Sequence, residues 1–187
     1  LQVGRIIAAR AVGVHAPGMT VNRYCASGLE TIAIATAKIR MGMAECIIAG
    51  GTESMSLVPT AGWKTVPAYS IAKDEPDYYL SMGLTAEAVA KDYNVSRADQ
   101  DEFAFNSHRK AKAAIENGYF KSGILPINVE EVYLDAKGKK QKRNYTVDTD
   151  EGVRADTTIE ALSKLKSAFA VNGTVTAGNA SQTSDGS

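Results

Sequence analysis

The stretch VNRYCASGLETIAIATAKIRMGMAECIIAGG, Val21 to Gly51, decides the fold. Pro17-Gly18-Met19-Thr20-Val21 reads as a short strand entry, and from Ala26 to about Met41 the chain is rich in Ala, Leu and Ile. Apolar residues recur there at helical spacing, at Leu29, Ile32, Ala33 and Ile39. Small residues on nearly every face predict a helix packed closely on all sides. Glu45-Cys46-Ile47-Ile48-Ala49-Gly50-Gly51 follows as a continuous apolar strand, of the kind covered on both faces in a parallel sheet. Strand, helix and strand in that order is an α/β signature.

Working outward, Val3, Ile6, Ile7 and Arg10 place a helix before this unit. Beyond Leu57 the composition shifts toward Pro, Tyr, Lys and Asp, which predicts an inserted lobe. A helix is expected over about Leu84 to Tyr93. Ser96 with Asp99 three residues on forms a capping box for a longer one, striped by Ala104, His108, Ala111 and Ile115 and stopped at Gly118. Ile127 to Leu134 and Tyr145 to Val147 are expected to flank a polar hairpin tip or loop over Lys137 to Arg143. A further helix is expected from Thr158 to Phe169, and Thr174 to Ala180 should return as strand and glycine turn. The division expected is 1–56 for the core, 57–172 for the lobe and 173–187 for the return.

Composition bounds the function. The 187 residues, 44% hydrophobic and 22% charged, suffice for one sizeable core. The 21 basic and 21 acidic residues cancel, so no global field recruits nucleic acid or an anionic membrane. Two cysteines without clustered spacing make neither a disulfide framework nor a zinc site, and a reducing compartment is expected. The apolar runs are short and broken, so no membrane span is expected. The start lacks a Met and already reads as a helix, and Ser184-Asp185-Gly186-Ser187 reads as a turn awaiting a strand. A piece of a longer chain, exposing apolar surface and poorly soluble alone, is expected.

Cys25 sits where a strand gives way to a helix. Free backbone N–H groups and the positive end of the helix dipole at such a junction favour thiolate over thiol, which makes Cys25 a candidate nucleophile. A free Cys is also among the most buried and inert residue types, and location alone does not choose between the two. Cys46, inside the apolar run, is expected to be a small core residue. His15 in a Gly/Pro-flanked loop and His108 in the lobe helix are expected to be structural or surface residues.

Asn22-Arg23-Tyr24-Cys25-Ala26-Ser27-Gly28-Leu29 resembles the acyl-enzyme motif of thiolases. Ala49-Gly50-Gly51-Thr52-Glu53-Ser54-Met55-Ser56 resembles the next thiolase block, Ser81-Met82-Gly83-Leu84-Thr85-Ala86-Glu87 the start of the coenzyme-A-binding loop domain, and Gly173 through Gly186 the segment that returns to the core. Four blocks in order span nearly the whole chain. The resemblance implies the amino-terminal half of a thiolase fold: a mostly parallel sheet between helices with an inserted α+β loop domain.

It also implies thiolysis of a 3-ketoacyl-CoA, or the reverse Claisen condensation, through a thioester on Cys25. The Cys25 N–H would help bind the oxyanion. Met82 would line the acyl pocket, Arg154 would lie near the nucleotide end of coenzyme A, and the Ser181 hydroxyl would meet the pantetheine arm. Coenzyme A and acyl-CoA enter as substrates, with no permanently bound cofactor and no metal. In the family an Asn, a His and a second Cys come from the carboxyl-terminal half of the same chain, so these residues alone are expected to turn over no substrate. The intact family members are dimers or tetramers. Glu53 is expected to tie nearby backbone. Two positions depart from many thiolases, Ser81 where they have His and Ala161 where they have Ser, which leaves a polar contact to coenzyme A missing or replaced. The Lys139 to Arg143 cluster is expected to be a solvated hairpin rather than a coenzyme or subunit contact.

The blocks lean toward degradative acyltransferases, and the bacterial cytoplasm is preferred over an organelle. Two other readings stay open. One is a different condensing enzyme of the superfamily, of the ketoacyl synthase or hydroxymethylglutaryl-CoA synthase type. The other is a non-catalytic thiolase-like protein that holds acyl-CoA or lipid.

Overall fold

The computed structural model describes residues 2–60 and 62–187 and divides into two compact units, Leu1–Thr65 with Thr183–Ser187, and Val66–Gln182. In the first, α1 (Val3–Ala11) and α2 (Ser27–Arg40) are joined by a turn over residues 12–16, an unpaired segment and a second turn just before α2. The Gly4 N–H donates to Thr20 Oγ1 at 2.9 Å, and a Cβ on Gly18 would strike the Arg5 Cα and the Gly4 carbonyl. Small residues at 4 and 18 therefore let α1 lie directly on the 17–20 segment, which forms no ladder. The chain end belongs to this unit too. Glu53 N–H donates to Gly186 O at 2.8 Å, Gly186 N–H donates back to Glu53 O at 3.0 Å, and Asp185 accepts from both the N–H and the hydroxyl of Ser56. Those bonds hold the Asp185 carboxyl below the usual carboxylate range.

Two expectations fail here. Cys46 is exposed, and residues 46–50 carry no strand pairing, because an apolar run becomes a sheet strand only where a neighbour offers a ladder. Nor is α2 enclosed. Only Ala35 is buried, while Leu29 is 73% and Ile32 56% exposed. A helix apolar around most of its circumference does not announce which face packs, and the half-buried face is Thr31, Ile34, Ala35 and Lys38 instead.

The second unit holds α3 (Tyr69–Asp74), a 3₁₀ turn at Pro76–Tyr79, α4 (Met82–Asp92), α5 (Arg97–Glu116), the antiparallel hairpin β1 (Ile127–Leu134) and β2 (Lys140–Val147), and α6 (Ile159–Ser163). The hairpin register pairs Ile127 with Val147 and Leu134 with Lys140. The capping box on α5 is present in full: Ser96 Oγ accepts from Asp99 N–H at 3.2 Å and Asp99 Oδ2 accepts from Ser96 N–H at 3.1 Å. Ala104, His108, Ala111 and Ile115 are its half-buried stripe, and Gly118, at φ +71°, takes the left-handed conformation that ends it.

Strand β2 begins at Lys140, so the tip is shorter than the charged run and consists of Asp135 to Lys139. Asp135 Oδ1 accepts from the N–H groups of Lys137 and Lys139 at 2.9 and 3.0 Å. The helix expected over Thr158 to Phe169 also stops early, at Ser163. Arg97 is the reason: its guanidinium donates to the carbonyls of Leu162 at 2.6 Å and Leu165 at 3.0 Å, satisfying acceptors that a further helical turn would use.

The core of this unit lies among α4, α5, α6 and the returning chain. Leu162, Val175 and Thr176 are buried. Within this unit the return is irregular rather than a strand, and among the described residues its bridge there is the one between Ser167 and Thr176. The Phe169 ring occupies the space a side chain at Gly83 would need, and Leu162 and Leu165 press on Gly178.

Candidate active site

Cys25 lies in the first unit and Met82, Arg154 and Ser181 in the second, so the structure describes each within its own unit. Around Cys25 the backbone is shaped by its neighbours. Tyr24 adopts φ +49°, a left-handed conformation that costs a non-glycine residue roughly 1–2 kcal/mol. Short polar side chains hold it there. Asn22 Oδ1 accepts from Tyr24 N–H at 2.9 Å, and the Ser27 hydroxyl accepts from Arg23 N–H at 2.8 Å while donating to Tyr24 O at 2.6 Å. Arg23 pairs with Glu30 one turn into α2 at 2.5 Å. The reversal delivers Cys25, exposed, two residues ahead of the first residue of α2.

The N-cap position, Ala26, offers no side-chain acceptor. Among the described residues, nothing accepts a hydrogen bond from the N–H groups of Cys25, Gly28 or Leu29. A helix start whose donors are left open beside a reachable sulfur suits the stabilisation of negative charge on a group attached to that sulfur. The sequence motif signals the thiol and the small residues; it gives no sign of the left-handed Tyr24.

In the second unit, Met82 is the first residue of α4 and 73% exposed. Ser81, one of the two departures noted above, is the N-cap of α4, its Oγ accepting from Leu84 N–H at 3.4 Å. Arg154 is exposed, and its guanidinium makes no ion pair among the described residues. Its backbone N–H donates to His108 Nδ1 at 3.2 Å, which fixes the loop and gives His108 a partner the sequence did not suggest. The Ser181 hydroxyl is exposed and donates only to the adjacent Gln182 carbonyl, at 3.2 Å.

Several remaining groups bond within the protein or lie at its surface. Glu53 is exposed and accepts from the N–H of Ser54 at 3.1 Å, which is a backbone tie of the expected kind. His15 is exposed. The basic hairpin is partly neutralised: Lys142 pairs with Glu130 at 2.8 Å and Arg143 with Glu131 at 2.6 Å, with the guanidinium 5.7 Å from the Tyr133 ring centre and 5.3 Å from that of Tyr145. Glu87 on α4 was not singled out from the sequence. Partial burial pushes its carboxyl up, but the N–H groups of Thr174 and Val175 and the Thr174 hydroxyl all donate to it and outweigh that, so it titrates below its ordinary range.

The class these features define is an α/β protein that sets an exposed cysteine just ahead of a helix start with open backbone donors. The comparisons make this specific: the family model for the thiolase N-terminal domain matches residues 3–187, and the chain belongs to the thiolase family. It is 52% identical over 170 residues, 91% of this chain and 44% of the relative, to a 3-ketoacyl-CoA thiolase of Bacillus subtilis. It is 44% identical over 198 residues, 99% of this chain and 48% of the relative, to a beta-ketothiolase of Cupriavidus necator. Among solved structures, the Bacillus anthracis acetyl-CoA acetyltransferase matches with a TM-score of 0.77 at 35% identity, over 97% of this chain and 47% of that one. The dimeric peroxisomal thiolase of Saccharomyces cerevisiae matches with a TM-score of 0.77 at 36% identity, over 95% and 43%. The fold is thus the α/β thiolase fold, and the chain spans about half the length of the relatives it matches. No helix among the described residues is long and apolar enough to cross a membrane.

Proposed function

We propose that the protein is an acetyl-CoA C-acyltransferase that cleaves 3-ketoacyl-CoA, or runs the reverse condensation, through a thioester on Cys25. The observation that carries this reading is the exposed Cys25 thiol beside the open N–H groups at the start of α2, inside a chain of the thiolase family. In the cleavage direction the Cys25 sulfur bonds to the 3-keto carbon and the bond between carbons 2 and 3 breaks. The electron pair moves to carbon 2, and acetyl-CoA leaves as its enolate and takes a proton. A second coenzyme A then bonds to the acyl carbon, and Cys25 leaves as thiolate. The open N–H groups by Cys25 stabilise oxygen charge as each carbonyl is attacked.

In this reading Met82 borders the acyl chain, Arg154 offers its unpaired guanidinium to the nucleotide end of coenzyme A, and Ser181 offers its hydroxyl to the pantetheine arm. Residues 57–172 then serve as the coenzyme-binding lobe between the core of 1–56 and the return of 173–187. The groups that activate Cys25 and move protons come from the carboxyl-terminal half of the full-length chain. A homodimer or homotetramer, the degradative direction and the bacterial cytoplasm belong to the same proposal, supported by the bacterial 3-ketoacyl-CoA thiolase relative. Coenzyme A is a substrate here, and no resident cofactor is invoked.

The experiment is mass spectrometry of the full-length protein after incubation with acetyl-CoA. An acetyl adduct on the peptide holding Cys25, absent in Cys25→Ala, is the expected result. Wild-type protein that remains unmodified while turning over substrate would refute the thioester route, and absence of both turnover and adduct would favour the non-catalytic binding reading.

A further inference from the structure

The Ser181 hydroxyl stands at the end of a turn that is pinned from behind. Asp101, on α5, is 2% exposed and carries two hydrogen bonds of opposite purpose. Its Oδ2 accepts from Arg97 Nε at 2.8 Å, one turn back on the same helix. Its Oδ1 accepts from Asn179 Nδ2 at 2.9 Å, 78 residues later in the chain. Asn179 in turn uses every polar atom of its side chain on the turn: Oδ1 accepts from Thr176 N–H at 2.7 Å, and Nδ2 donates also to the Thr174 carbonyl at 3.2 Å. The fully buried Thr176 hydroxyl closes the ring by accepting from the N–H groups of Gly178 and Asn179 at 3.2 and 3.3 Å. Two residues past Asn179 comes Ser181.

From this chain of contacts we infer that Asp101, acting through Asn179, is a positioning residue that sets the place of Ser181 and thereby the affinity for the pantetheine arm. The inference rests on the reading of Ser181 as a coenzyme A contact. Asp101 itself is buried, with Arg97 and Asn179 on its two oxygens, and touches no substrate. Its carboxylate is the one acceptor that satisfies both Arg97 and Asn179, two donors that would otherwise repel one another in a site with little water. An Asn at position 101 has a single acceptor oxygen. The charged Arg97 claims it, which turns the new amide NH₂ against that of Asn179 and releases the turn.

The test is steady-state kinetics on the full-length protein with Asp101→Asn, Ser181→Ala and the combination of the two. Asp101→Asn is expected to raise the KM for coenzyme A roughly tenfold, the loss of about one hydrogen bond to the ligand, with kcat within about threefold of wild type. Ser181→Ala is expected to do the same, and the combination no more than either alone, since both act through one contact. An unchanged KM in folded Asp101→Asn, or effects that multiply in the combination, would overturn the inference. An unchanged KM in Ser181→Ala would instead sink the assignment of Ser181, and with it the ground for this one. If Asp101→Asn does not fold, Asn179→Ala, which leaves the Arg97 pair intact, takes its place with the same expected rise and the same refuting result.

Discussion

Truncating Glu87 to Ala probes the strongest tie between α4 and the returning chain. Its carboxylate accepts from Thr174 N–H at 3.0 and 2.9 Å, from Val175 N–H at 2.8 Å and from the Thr174 hydroxyl at 3.1 Å. A hydrogen bond to a charged acceptor contributes about 1.5–3 kcal/mol net, and one N–H here is shared between two oxygens at a partly exposed carboxylate, so the total is discounted to about 3 kcal/mol. Removal also orphans the N–H of Val175, which is 4% exposed. Local opening of residues 174–175 should therefore become easier by about two powers of ten, read as roughly hundredfold faster amide exchange at Thr174 and Val175 in the full-length protein.

Glu87→Gln, which keeps one acceptor oxygen, should lose about 1 kcal/mol. Its difference from wild type should depend on pH. The folded carboxyl titrates below its unfolded value, so its contribution is fully present above about pH 4.3 and fades as the pH falls through the folded value. Wild type and Glu87→Gln should converge in strong acid. Exchange at Val175 that accelerates less than threefold in Glu87→Ala would refute the reasoning, because the carboxylate would then not be what secures that segment.

Three further outcomes follow from the same structure. Gly83→Ala sets a methyl where the Phe169 ring already lies, and should cost about 1–3 kcal/mol in denaturant unfolding despite the better helix propensity of Ala, with part of the loss recovered by Phe169→Leu in the same chain. Ser96→Ala removes the cap of α5 and should cost about 1 kcal/mol in the same measurement. At the hairpin tip, the Gln141 amide and the N–H groups of Lys139 and Lys137 hold Asp135 below the ordinary carboxylate range, so amide exchange at Lys137 and Lys139 should accelerate, relative to neighbouring strand positions, only once the pH falls below that range, and Asp135→Asn should abolish this pH dependence.

Features that act over one helical turn were legible in the sequence. Ser96 and Asp99 declare a helix start because the bonds they make are to each other's backbone, and the stripe from Ala104 to Ile115 declares a face because the packing surface is continuous. The Cys25 motif was legible as a motif. What escaped were bonds spanning 46 to 88 residues: Arg97 ending α6, His108 holding the Arg154 loop, Glu87 clamping the return. An Arg, a His or a Glu in a helix gives no sign of which distant backbone it serves. The apolar run at residues 46–50 erred in the opposite direction, since β-forming residues state a capacity to pair and not the presence of a neighbour.

The same distinction explains why α5 carries so much of the second unit. Arg97 and Asp101 stand one turn apart, and Asp101 and His108 two turns apart, so the side chains that reach α6, the return and the Arg154 loop leave along one side of the helix. A rod of 20 residues is fixed at its start by a capping box, and apart from α6 the segments it holds are loops with almost no regular bonding of their own. Exposed residues such as Ser181 and Arg154 can then be set in place by a helix they do not belong to. The local sequence around each, small and polar, is free to suit a ligand because the work of holding it is done elsewhere.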